Sequence, residues 1–213
     1  SRQTVTMGKL YRAVKENTSA RGWVDLLNSL VSDSNLLREL IAGDVPNPNG
    51  RSNVNEINFA LASINEMGFS QCYVLMLSLF RNRERCEISW DELNKIVKEI
   101  EQFNFIYHTI CSLPANKVEK FYSETAIKIE SIGEGEDAQA RLRSNLNSIY
   151  AKFNELRPTK DQFAKKFVEL KYVNSTKRKR LIRYLLTTID SYHHPRQQSE
   201  VTVVESISIE HIL

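Results

Sequence analysis

The chain has 213 residues, 41% of them hydrophobic and 26% charged, which is ordinary globular material and enough to bury a core without disulfides or metal staples. Seven Gly and five Pro favour helices over a turn-rich β fold, and a formal net charge of +3 is too mild to announce nucleic-acid binding by itself. Cys72, Cys86 and Cys111 are odd in number and show no CxxC spacing, so they read as free structural thiols in a reducing cytosol. No signal peptide opens the chain and no apolar run of about 18 residues is present, so the expected location is cytoplasmic, without a membrane partner.

Ser1 stands where an initiator methionine would, which reads as a piece of a longer protein. "TMGKLYRAVKEN" and "WVDLLNSLVSDSNLLRELIAG" read as two helices, the second ending at Gly43, and the Pro and Asn-Gly signals of "DVPNPNGRSN" mark a loop. "NVNEINFALASINEM" places Ile57, Leu61 and Ile64 on one helical face. "FSQCYVLMLSLF" is apolar nearly all round, as a central buried helix is.

Ser89-Trp90-Asp91-Glu92 has the form of a capping box, in which the Ser and Glu side chains satisfy each other's free backbone donors. It opens "WDELNKIVKEIEQFNFIYHTIC", read as one helix with Trp90, Leu93, Val97 and Ile100 in a stripe and Ile96 and Phe103 beside it. Pro114 is expected at an early helical position of "PANKVEKFYSETAIKIE", where its missing N–H costs little. After the acidic turn "GEGED", "AQARLRSNLNSIYAKFNEL" carries Leu142, Leu146, Ile149 and Phe153 at helical spacing. Thr159 and Gln162 form a second capping box before "DQFAKKFVELKYV".

The last helix, "TKRKRLIRYLLTTIDSY", is expected to turn Leu181, Leu185 and Thr188 one way and its arginines largely another. Lys177, Arg178, Lys179, Arg180 and Arg183 are its candidate contacts to nucleic-acid phosphates, set against the blander reading of a solvated helix start. His193-His194 lacks ligand-spaced partners and reads as a helix end before Pro195, and His108 as packing or polar surface. "VTVVESISIEHIL" is β-branched, and Val203, Glu205, Ile207 and Ile209 alternate as in a strand. The expected fold class is all-α: a bundle-like multi-helix domain over residues 1–198, followed by one carboxy-terminal strand in 199–213.

At this strand "ISIEHIL" resembles the Glu-His-Ile-Leu signature that opens the HNH nuclease part of GmrSD-like type IV, modification-dependent restriction endonucleases. The blocks "QCYVLMLSLF", "ISWDELNKIVKEIEQFNFIYHTIC", "LRPTKDQF" and "RLIRYLLTTID" also stand in that family's order, so the resemblance spans roughly residues 57–213. Tyr107-His108 departs from the Arg pair often found there. The resemblance implies that residues 1–198 are a helical connector and 199–213 the first strand of an HNH ββα-metal module that this chain does not complete. It implies that His211 is the general base, and that Glu210 is a ligand of a divalent metal, Mg²⁺ for preference, or supports one.

By the same resemblance the parent protein is a DNA-cleaving hydrolase of anti-phage defence, acting on modified phage DNA such as glucosylated hydroxymethylcytosine DNA and fused to an upstream nucleotide-hydrolysing domain. Residues 1–213 themselves are expected to bind no metal and to be inactive, because the Asn and second His of an HNH site are not among them. From the residue types alone, Glu210-His211 reads first as a solvated terminal pair. The other functional class that fits the residues is a self-contained helical module that binds a protein partner and has no nuclease.

Overall fold

A computed structural model describes residues 7–133, 137–171 and 175–193, and everything described is helix or connecting turn. The helices are α1 (Met7–Arg21), α2 (Trp23–Ala42), α3 (Ser52–Met67), α4 (Tyr73–Arg81), α5 (Trp90–Asn104), α6 (Asn116–Glu130), α7 (Ala138–Leu156), α8 (Lys160–Val168) and α9 (Thr176–His193). A short 3₁₀ turn, Ser70–Cys72, precedes α4, and a π-helical segment, Phe105–Ile110, follows α5. The expected strand, with Glu210 and His211, lies outside the described residues.

The apolar stripes become the core. Ile57, Leu61 and Ile64 of α3 face Leu93, Ile96, Val97 and Ile100 of α5, and all seven are fully buried. Each such side chain contributes about 1.5–3 kcal/mol by leaving water. α7 adds Leu142, Leu146, Ile149 and Phe153, the four positions spaced for it in the sequence. Phe153 stacks on Phe103 with centroids 4.1 Å apart and meets the edge of Tyr122 at 6.1 Å, joining α5, α6 and α7 through three rings. The Tyr122 hydroxyl accepts from Asn104 Nδ2 at 2.9 Å, so this buried polar pair is satisfied.

The helix ends are held by local chemistry. Both capping boxes form: Glu92 N–H donates to Ser89 Oγ at 3.2 Å and Ser89 N–H to Glu92 Oε2 at 3.1 Å. The donation from the Ser89 backbone holds the Glu92 carboxyl below its usual range. Thr159 and Gln162 repeat the pattern at 3.2 and 2.9 Å. Beyond α2 the loop is pinned by Asn58, whose side chain accepts from Val45 N–H at 2.8 Å and donates to Val45 O at 3.0 Å.

Three local expectations change. The stretch after Trp90 is not one uniform helix, because the backbone widens at Phe105 and Cys111 N–H reaches back five residues to Ile106 O. Within this wider turn Tyr107 and Ile110 are buried, and Tyr107 stacks on Phe103 at 5.1 Å. Pro114 stands just before α6 rather than in it, its carbonyl accepting from the Tyr107 hydroxyl at 3.3 Å. In α9 the buried pair is Leu181 and Tyr184, while Thr188 is exposed.

The three cysteines are free, as their spacing suggests, and burial pushes the Cys72 thiol up to about 12. No described helix is long and apolar enough to cross a membrane.

Gly43 closes α2 in the left-handed region (φ 67°), and a Cβ there would stand 2.7 Å from Asn58 O. Gly43→Ala therefore meets backbone strain and a backbone clash together. It is expected to cost about 2 kcal/mol or more in chemical denaturation, whereas Gly50→Ala, with open space around its Cβ, should cost less.

Candidate functional site: the α9 cleft

α9 begins with positive charge in an unfavourable place. Lys177, Arg178, Lys179 and Arg180 follow one another in its first turns, and no acidic residue accompanies them. A helix N-terminus already carries the positive end of the backbone dipole, so these cations raise a potential that an anion would relieve. Ser175 caps the helix, with Arg178 N–H 3.4 Å from its hydroxyl oxygen and Lys179 N–H donating to its carbonyl at 2.9 Å.

The first turns of α9 lie over the end of α3 and the π-helical segment, and a cleft of about 170 Å³ opens between them. That is room for several water molecules. Arg178 and Arg180 line one wall, His108, Thr109 and Ser112 the other, and Glu66 and Met67 close the end. Ser112 is held at φ 51°, in the region that favours glycine, just past the π turn. Strained backbone beside a π turn is an arrangement that clusters at binding sites.

The charges in the cleft sort themselves by pairing. Glu66 faces Arg183 at 3.7 Å, while Arg178 and Arg180 have no ion-pair partner among the described residues. Arg183 Nε is buried without a hydrogen-bond partner among them. His108 Nδ1 lies 3.1 Å from Leu113 O, and since a carbonyl only accepts, that nitrogen carries the proton. Burial pushes the imidazole below its usual range, so the ring is neutral and Nε2 keeps its lone pair. The site therefore offers two guanidinium groups, two hydroxyls and no carboxylate without a cationic partner. It is chemistry that suits holding a phosphate or similar anion.

A buried acid anchors the helix that carries these arginines. Glu101 on α5 is nearly fully buried, and the Tyr184 hydroxyl of α9 is the polar neighbour that works against the rise of its pKa. Burial raises its carboxyl to about 7, partly offset by that hydroxyl and by Lys98. Tyr184 also packs on Phe105 with centroids 4.9 Å apart, and its own hydroxyl is pushed well up by burial and by the acid beside it.

Of the residues singled out in the sequence, Arg178 and Arg180 meet at the cleft, Lys179 is exposed, and Lys177 lies in the first turn. Arg183 does not follow the solvent-facing arginines but turns inward, half-buried against Glu66. Glu210 and His211 lie outside the described residues, and among those described no group of three or more His, Cys, Asp or Glu could hold a metal ion. Sequence reasoning passed over Glu101, although it continues the Leu93–Val97 row at four-residue spacing, where a charge is out of place. It also passed over the pair of Thr109 and Ser112, for which no sequence signal exists. Comparison with protein-family models, curated proteins and solved structures found no match to this chain.

Raising an acid's pKa in the folded state means that the native protein holds a proton which the unfolded chain has released. The stability supplied by the neutral acid is therefore present below the ordinary Glu range and lost as pH rises towards 7. Glu101→Gln should leave stability near pH 4 almost unchanged and raise it relative to the native chain above pH 7, by roughly 3 kcal/mol at most. Urea melts at the two pH values check this, and an equal difference at both would show that the acid is not perturbed.

Proposed function

We propose that this chain is the helical connector of a DNA-cleaving restriction protein similar to the GmrSD-like enzymes, in which residues 1–198 seat an HNH nuclease whose first strand lies in 199–213. What supports the reading is the order of the helical blocks, which ends in a strongly basic helix followed by Ile209-Glu210-His211-Ile212-Leu213. The α9 cleft adds the right complement for a nucleic-acid backbone, with Arg178 and Arg180 unpaired by acids and two hydroxyls opposite. In this reading α9 holds the DNA phosphates while the bundle relays the state of an upstream nucleotide-hydrolysing domain. The substrate is modified phage DNA.

In the intact nuclease His211 takes the proton from the attacking water, and Glu210 offers its carboxylate to a divalent metal, Mg²⁺ for preference. When bound, that metal neutralises charge on the phosphorane and on the leaving oxygen. Adjacent residues of a regular strand point to opposite faces, so both serve one phosphate only if the strand bends or ends at this pair. One observation favours the second reading, a protein-binding module without nuclease: the amino-terminal helices expose a broad apolar face, with Trp23, Val24 and Leu27 all largely open to solvent.

Two measurements decide between them. Binding of the chain to duplex DNA should be independent of sequence and fall steeply with salt, because phosphate contacts release counterions. Arg178→Glu with Arg180→Glu should weaken it at least tenfold at low salt and lower the salt slope by about two. Unchanged affinity would remove α9 from the interface.

Cleavage is the second. Residues 1–213 should not cut DNA with Mg²⁺ or Mn²⁺, while a protein extended by an HNH second strand and helix should. In that longer protein His211→Ala should lower cleavage by about 10²–10⁴-fold with the helical circular dichroism unchanged. Cleavage at the normal rate would end the HNH assignment.

A further inference from the structure

α2 lives in two environments. Its second half is anchored, with Leu40 fully buried and Leu36 and Leu37 packed against the core. Its first half is not: Trp23 is 63% exposed, Leu27 57%, and Val24, Leu30 and Val31 are each more than half exposed. These five fall at helical spacings that share one face, within about 120° at 100° per residue. Applied to ordinary side-chain areas, their exposed fractions amount to roughly 500 Å² of mostly apolar surface. That matches the largest contiguous apolar patch of a typical monomer, about 300–600 Å², which is often a functional surface.

The spacing is palindromic about Leu27. An antiparallel copy of the same helix, crossing at that residue, sets Trp23 against Val31 of the partner subunit, Val24 against Leu30 of the partner subunit, and Leu27 against its own equivalent. A two-fold contact requires this self-complementarity, since each residue must meet what its partner's equivalent meets. The charges permit it. Asp25 is the only charged residue from Trp23 to Ser32 and falls opposite Ser29 of the partner subunit, so no like charges oppose each other across the centre. Two such faces bury roughly 1,000 Å², the lower bound of a specific interface.

We propose that the amino-terminal half of α2 is a homodimerisation surface, on which a second copy of this chain packs antiparallel with Leu27 at the two-fold axis. The inference stands apart from the nuclease reading and survives its failure.

The test uses the full 213-residue chain in sedimentation velocity over a concentration series. The native chain should move from 24.6 kDa to twice that mass as concentration rises. Leu27→Glu brings two carboxylates together at the axis and should weaken the dimer about 100-fold or more. Its helical circular dichroism should match the native chain, because Leu27 supports no part of the core. Leu27→Lys alone should behave likewise, and an equimolar mixture of the two variants should restore the dimer. A native chain that stays monomeric to about 100 µM, some hundredfold above a micromolar Kd, overturns the proposal. So does a Leu27→Glu dimer as tight as the native one, or a mixture that fails to associate.

Discussion

Burial of one face of α5 is the constraint from which the rest of the bundle follows. Leu93, Ile96, Val97, Ile100 and Phe103 are all excluded from solvent, and helices α3 and α7 must lie along them to keep them so. α6 is drawn in through Tyr122, whose ring meets Phe153 and whose hydroxyl meets Asn104 of α5. Asn104 spends its amide on Ile100 O at 2.7 Å as well, so the last turn of α5 is tied to both its own backbone and its neighbour. Removing the α5 side chains leaves no common surface on which the other helices agree.

That same helix determines where the cleft is. A uniform α-helix through residue 110 would carry Tyr107, His108 and Ile110 round at 100° per residue. The π turn adds a residue to the repeat over Phe105–Ile110, where Tyr107 and Ile110 are buried and His108 lines the cleft. α9 then closes the opposite wall, held by Leu181, by Tyr184 and by the buried carboxyl of Glu101. A buried acid is a costly anchor, because any ionised fraction lacks solvation. The Tyr184 hydroxyl beside it favours one seating of α9, since a slipped helix would take that polar neighbour away from the buried acid.

The sequence is a good guide wherever a single helix decides its own end or face. The two boxes at Ser89 and Thr159 are local chemistry, satisfied within four residues, and they form as the spacing implies. The stripes of α3, α5 and α7 are legible because each helix buries one continuous row. What depends on two elements is not legible. Arg183 turns inward because Glu66 on α3 is there to meet it, and Tyr184 outranks Leu185 because Glu101 and Phe105 receive it. The π turn answers to packing on both sides at once, and no residue between Phe105 and Ile110 announces it. Glu210 and His211, expected only from the resemblance, lie outside the described residues. Arg178 and Arg180 are legible as a basic helix start, but their place opposite His108, Thr109 and Ser112 depends on packing that no periodicity contains.

The exposed face of α2 differs from the cleft in how it is held. A continuous helix from Trp23 to Ala42 spans about 30 Å, and its far end is fixed by Leu40 in the core. Where the helix leaves the body, Arg81 at the end of α4 grips Asp33 at 2.7 Å and Glu130 of α6 at 3.0 Å. Such half-exposed ion pairs add little stability by themselves, but three helices meeting at one guanidinium settle the angle at which α2 departs. The apolar face is thus presented by a rigid strut, not by a loop that must order on contact. Less conformational entropy is then lost when a partner docks, and a modest area can suffice for association.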